Sequence, residues 1–317
     1  MMKKTLKMLI GSIGLITAVL WAVHGVPFAD VLEYLKRMNG LLLVVVFILT
    51  TVNLFIRAMV WRQVVGTLKP VSIIDALMNY VFGVFSNLFL PLKLGDVAQG
   101  YVLGKNQQIN TVSAVSAVLI QRVFEVSSLL LVMSFVALGF SVPYLYQQRV
   151  LALILILLVV VLLLVVAYQM RGKLVDIVQQ FLSRYSQKIA ETVSFILDNF
   201  IRGTSAIQNK NTVFRILLLS IISWGVQICM VKYTADAMGI DIDFLAATVV
   251  LMIINIGLTI PLAPGNIGTF QVFGIIALSF YSVTKSKALA FSIVYQMIQG
   301  IPVIIGGALS LILYLKK

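Results

Sequence analysis

Charge is scarce in this 317-residue chain: Asp, Glu, Lys and Arg make up 11% of it, against 61% hydrophobic residues. That balance lies outside the range of water-soluble domains and excludes a soluble enzyme or binding module. There is one cysteine, Cys229, so no intramolecular disulfide can form. No Walker A loop, Cys/His metal spacing, G-x-S-x-G or H-E-x-x-H occurs in the sequence. ATP-driven pumping and the common hydrolytic mechanisms therefore lack their residues. The sequence names no catalytic residue, no metal ligand and no cofactor. Acid is scarcer still, with 11 Asp and Glu against 24 Lys and Arg. The basic residues are spread over loops without forming a basic domain, which argues against nucleic acid and for anionic headgroups of a bilayer.

What the chain does have is long uncharged runs, such as LALILILLVVVLLLVVAY at 151–168. Crossing a hydrocarbon core takes about 20 apolar residues. The runs lack the period-2 alternation of a barrel, so an all-α, polytopic helical membrane protein is expected. Spans are expected near 5–24, 39–60, 72–90, 111–140, 150–169, 213–235, 244–262, 266–282 and 288–315. The first resembles a signal peptide without a cleavage site and reads as a retained span. Lys and Arg cluster at the start, around 62–69, through 171–210 and at the end, whereas Asp236, Asp241 and Asp243 lie together elsewhere. The positive-inside rule then puts both termini in the cytoplasm, in a multi-pass protein of the cytoplasmic membrane.

Two short polar interruptions match one another: PLKLGD at 91–96 and PLAPGN at 261–266. Proline and glycine break helical geometry, so Pro91 and Gly95, and Pro261, Pro264, Gly265 and Gly268, are the expected helix breaks. Asp96 reads both as the N-cap of the following helix and as a ligand contact. The orientation pattern requires the first pair of segments to dip from the cytoplasmic side and the second from outside. Two such re-entrant or broken-helix elements constitute an inverted repeat. The match continues downstream, where Ala114 precedes Arg122 by eight residues and Ala288 precedes Gln296 by the same interval. A single transmembrane domain over 1–317 is expected, with a first repeat at about 39–140 and a second at about 213–315. A cytoplasmic amphipathic linker of one helix or a helical pair joins them at about 171–210.

Arg122 and Glu125 stand in the middle of an expected span, on one face at an i, i+3 spacing. An ionised side chain at a helix centre costs about 2.5–3.5 kcal/mol on insertion scales. They should face the protein interior, with Asp96 as the partner of Arg122, either as a lock between helices or as a functional group. Trp61 reads as an anchor at the membrane interface.

Several of these stretches resemble one family. NLFLPLKLGDVAQGYVLGK, AVLIQRVFE, IRAMVWRQVV and PLAPGNIGTFQ are similar, in order and spacing, to the motifs of flippase-like transmembrane proteins. These are related to the N-terminal membrane domain of lysylphosphatidylglycerol synthase. The family commonly carries glutamate where this chain has Gln271, and glutamate is also usual at position 96. The sequence carries no lysyl-transferring domain, so the resemblance implies the translocating half. The implied function is movement of an anionic phospholipid or polyprenyl-phosphate-linked lipid between leaflets by alternating access. The implied substrate contacts are Asn87, Lys93, Asp96, Arg122, Glu125, Asn266, Gln271 and Gln296. A membrane enzyme, or an accessory subunit acting on lipid-linked glycans or headgroups, is the alternative. The protein partners left open are a second copy of the chain and a lipid-modifying enzyme.

Overall fold

The computed structural model describes residues 22, 24–139, 155, 159, 162–259 and 264–315, and every regular element among them is helical. In chain order they are α1 (Phe28–Lys36), α2 (Gly40–Val65), α3 (Ile73–Phe89), α4 (Leu94–Gln107), α5 (Thr111–Gly139), α6 (Arg171–Ser183), α7 (Gln187–Gly203), α8 (Lys210–Ala237), α9 (Phe244–Gly257), α10 (Thr269–Ser279) and α11 (Lys285–Leu315). Short 3-10 turns lie at Pro91–Lys93, Ser205–Gln208 and Pro264–Asn266. The expected span at 5–24 falls almost wholly outside the described residues, as does half of that at 150–169, whose end at 162–169 is helical; the expected break at Pro261 lies outside them too.

Among the described residues, four helices are long and apolar enough to cross a membrane: α2, the Thr111–Ser134 part of α5, α8 and α11. At 1.5 Å per residue, the 26 residues of α2 reach about 39 Å, more than the hydrocarbon thickness. The most apolar stretch of α11 is only 17% buried, as a lipid-facing segment requires, whereas Ala288–Ser292 at its start is enclosed. By contrast α9 and α10, with 14 and 11 residues, reach only about 21 and 16 Å. Each is too short to cross alone.

Side-chain caps set where several helices begin. Ser72 caps α3, its Oγ accepting from the Asp75 amide at 3.0 Å and donating to the Asp75 carboxylate at 2.8 Å. Asn110 caps α5, Asn209 caps α8, and Asp243 caps α9 at 2.7 Å from the Ala246 amide.

The described residues fall into two compact units that interleave along the chain. The first comprises those within Met1–Phe55, Val84–Gly95 and Gly225–Lys317. Here α9 packs on α10, α10 on α11, and α11 on α1. Phe291, Tyr295, Ile254 and Leu278 are fully enclosed. The contacts are close: a Cβ on Gly257 would fall 2.1 Å from the Phe273 ring, and one on Gly274 2.0 Å from Ser292 Oγ.

The second unit comprises Ile56–Gly83 and Asp96–Trp224. Its α7 packs against both α6 and α5. Ser113 Oγ donates to the Asn199 carbonyl at 2.8 Å, and Arg171 and Arg202 both pair with Asp198. The segment expected as an amphipathic linker is thus a helical pair, with its inner face closed by α5. Trp61 is a correction to the sequence reading. It is wholly buried and donates its indole N–H to Asn79 Oδ1 at 2.9 Å, because a polar partner on α3 gives the ring an interior site.

The units share one construction. In the second, Gly83 lies against Gln99 and, 17 residues on, Gly100 lies against Val115. In the first, Gly257 lies against Phe273 and, 17 residues on, Gly274 lies against Ser292. Each leading glycine precedes its partner by 16 residues. A spacing of close-approach glycines therefore recurs in the two units.

Candidate functional site

The second unit gathers four charges inside its apolar helices. Arg122, on α5, grips Asp96 through two bonds, Nε to Oδ2 at 2.9 Å and Nη2 to Oδ1 at 2.6 Å. Its third nitrogen, Nη1, lies 2.7 Å from Glu125 Oε2. Glu125 Oε1 in turn accepts from Gln121 at 3.2 Å and lies 3.5 Å from Arg57 Nη1. Arg57, on α2, also donates to Ser223 Oγ at 3.3 Å and stacks over Trp224, whose indole N–H is held by Ser128. Two cations and two anions leave the cluster neutral. Their side chains are 11–31% exposed, so desolvation is large and mutual pairing offsets it.

Arg57 and Trp224, with Gln121, Ser128 and Ser223, are the participants that the sequence reading did not name as site residues. The signal for Arg57 was available, since it stands inside the otherwise uncharged run from Gly40 to Trp61. Its partner could not be found the same way, because Glu125 is 68 positions distant in sequence.

Asp96 is not an N-cap. It is the third residue of α4, and its carboxylate is turned to Arg122. Gly95 is likewise not at the break, but buried in the first turn of α4. The chain reverses earlier, at Leu92 (φ 55°) and Lys93 (φ 57°), two consecutive non-glycine residues in the left-handed region. Pro91 has already stopped α3, and those two residues complete the turn before Gly95 is reached. Left-handed backbone costs an L-residue about 1–2 kcal/mol. Strain of this kind persists only where surrounding packing over-determines it.

In the first unit the two helix breaks pack turn against turn, Pro91–Lys93 on Pro264–Asn266. Gly265 (φ 62°) and Asn266 (φ 57°) reproduce the left-handed pair. A Cβ on Gly265 would sit 3.3 Å from the Leu88 carbonyl oxygen. Gly268 (φ 82°) caps α10, and its amide donates to Gln271 Oε1 at 2.7 Å. Gln271 Nε2 donates to Gln296 Oε1 at 2.6 Å, and Gln296 Nε2 donates to the Gly265 carbonyl at 2.9 Å. An amide relay thus fastens this break to α11. Of the residues expected to contact substrate, Asp96, Arg122 and Glu125 meet in the second unit, and Gln271 and Gln296 meet in the first. Asn87, Lys93 and Asn266 also belong to the first unit, with Lys93 exposed in its turn.

Arg122 has five N–H donors, of which three are engaged. Two N–H groups of the guanidinium are left without a partner among the described residues.

Residues 6–307 match the family model described as the lysylphosphatidylglycerol synthase transmembrane region. The chain belongs to this family. It is an integral membrane protein. Among its curated relatives, a UPF0104 membrane protein of Methanocaldococcus jannaschii is 26% identical over 228 residues, covering 71% of this chain and 92% of that one. The glycosyltransferase AglD of Haloferax volcanii is 25% identical over 144 residues, covering 43% of this chain and 23% of AglD. No solved structure matches.

Proposed function

We propose that this protein translocates an anionic lipid, either a phospholipid or a polyprenyl-phosphate-linked lipid, across the cytoplasmic membrane, and that it is not itself an enzyme. The observation that carries the reading is the pair of broken helices in the first unit, packed turn against turn with strained backbone on both sides. Interrupted helices at membrane depth free backbone amides whose positive ends attract an anion. They are tolerated only where protein or a cavity covers them. Lys93, exposed in one break, adds a cation for the headgroup phosphate. In the second unit, Arg122 is a headgroup contact in its own right, released as Asp96 and Glu125 exchange with the ligand. Asn87, Asn266, Gln271 and Gln296 supply neutral contacts. Both termini face the cytoplasm, and inverted repeats alternate the access of the site between leaflets.

A second reading rests on the similarity to part of AglD: the protein serves lipid-linked glycan assembly as an enzyme or accessory subunit, with Asp96 or Glu125 as an acid or base.

Purified protein in liposomes separates the two. Exchange of fluorescent phosphatidylglycerol between leaflets, above the rate of protein-free vesicles and without any activated donor, is the expected result. A product formed only when an activated sugar donor is added, with no leaflet exchange, would replace transport by the second reading.

A further inference from the structure

We propose that the second unit carries a separate phosphate-binding site in a polar cavity of about 550 Å³ between the end of α2 and the beginning of α8. The inference deepens the transport reading, since it supplies a docking point for a headgroup before translocation. The volume lies within the range of about 300–1,000 Å³ typical of small-ligand pockets. Arg62 and Arg215 line it with hydroxyl and amide groups of Thr67, Ser205, Asn209 and Thr212, and no carboxylate is among the lining residues.

The two arginines differ from their neighbours in the same unit. Arg57, Arg122, Arg171 and Arg202 each have a carboxylate partner. Arg62 has none: its Nε is fixed on the Val71 carbonyl at 2.9 Å, which aims the guanidinium while both terminal nitrogens stay without a partner among the described residues. Arg215 is exposed and has no hydrogen bond or ion pair among the described residues. Thr67 and Ser205 are held together, Oγ1 to Oγ, at 2.8 Å, which closes one wall. Asn209 and Thr212 bring in the first turn of the 28-residue α8, where free amides and the helix dipole favour negative charge. The Thr67 hydroxyl proton is held by the Val64 carbonyl and that of Ser205 by Thr67, so the donors left to a ligand are two unneutralised guanidinium groups, the Thr212 hydroxyl and a helix N-terminus, which match the three-oxygen face of a phosphate. A carboxylate would engage a single fork.

The source of the phosphate is a lipid headgroup or a soluble phosphate. Binding of dihexanoylphosphatidylglycerol, inorganic phosphate and dihexanoylphosphatidylcholine to the detergent-solubilised full chain is measured by calorimetry. Saturable binding of phosphatidylglycerol, phosphate or both, weakened about tenfold or more by Arg215→Gln, is expected, on the strength of a charge-assisted hydrogen bond. Binding of phosphatidylglycerol alone assigns the lipid source, and binding of phosphate alone assigns the soluble one. Arg62→Gln should weaken binding likewise; because Arg62 also ties down Val71, its result is read beside a thermal melt, whereas Arg215 holds nothing in place. Absence of binding, or affinity unchanged in Arg215→Gln, overturns the site. Failure of the transport reading looks different: the protein binds the probe through Arg215 yet exchanges no lipid in vesicles.

Discussion

Arg122 holds both oxygens of the Asp96 carboxylate, at 2.6 and 2.9 Å, joining α5 to α4 across 26 positions of sequence. A fork-to-fork bond of this kind resists rotation as well as separation. Asp96→Asn removes the charge and leaves Arg122, Arg57 and Glu125 with a net positive charge in an apolar setting. Breaking a fully buried pair costs about 3–5 kcal/mol. Arg122 keeps 31% exposure, so a loss below that range, about 2 kcal/mol, is expected in thermal or denaturant unfolding in detergent. Asp96→Asn combined with Arg122→Gln should cost less than the sum of the single changes, by about 0.5–3 kcal/mol. Strict additivity would show that the two groups are not coupled.

Gly100 and Gly225 are both helical, and the structure separates their fates. A Cβ on Gly100 would stand 2.6 Å from Val115 Cα, so the clash is with backbone and cannot be relieved by a rotamer change. Gly100→Ala should destabilise by about 1–3 kcal/mol, as overpacking does. Gly225 has open space around that position. Gly225→Ala should stabilise by up to about 1 kcal/mol through helix propensity. Melting temperatures moving in the same direction for both variants would contradict these contacts.

Gln271→Met keeps the volume of the side chain and removes its polar atoms. The Gly268 amide loses its acceptor and Gln296 Oε1 its donor. Each unsatisfied group costs about 1–3 kcal/mol. The expected result is a lower melting temperature, together with faster hydrogen exchange at the start of α10. A variant that melts like the parent would mean that water replaces the amide relay without cost.

Asp198 governs the acid response of the α6–α7 pair. Its hydrogen bond to Arg171, helped by the charges of Arg171 and Arg202, holds its pKa below the ordinary value of 3.8. A carboxyl with a lowered native pKa adds stability above its unfolded value, and that stability is lost as pH falls through the native value. The docking of α6 on α7 should therefore be unchanged above about pH 4. It should weaken progressively below the ordinary value of 3.8. Asp198→Asn should remove that acid dependence. Limited proteolysis between 171 and 203 across this range reads it directly, and an acid transition that persists in the variant would assign it elsewhere.

The class of this protein was legible in composition, because lipid supplies no hydrogen-bond partner and leaves an apolar chain of this length little choice but helices. The two proline motifs also announced interrupted helices, since Pro91 cannot continue α3. Local chemistry said less about the position of each turn. Glycine permits left-handed backbone without requiring it, and the reversal in the first motif falls on Leu92 and Lys93 while Gly95 is helical. The pairing of Arg122 with Asp96 and Glu125 was legible because a charge inside a span must find its opposite. Arg57 as fourth member, Trp61 buried on Asn79, and the Arg62–Arg215 cavity were not. Each depends on which helix packs beside which, and pairings between residues far apart in sequence are set only when the whole chain buries its side chains together.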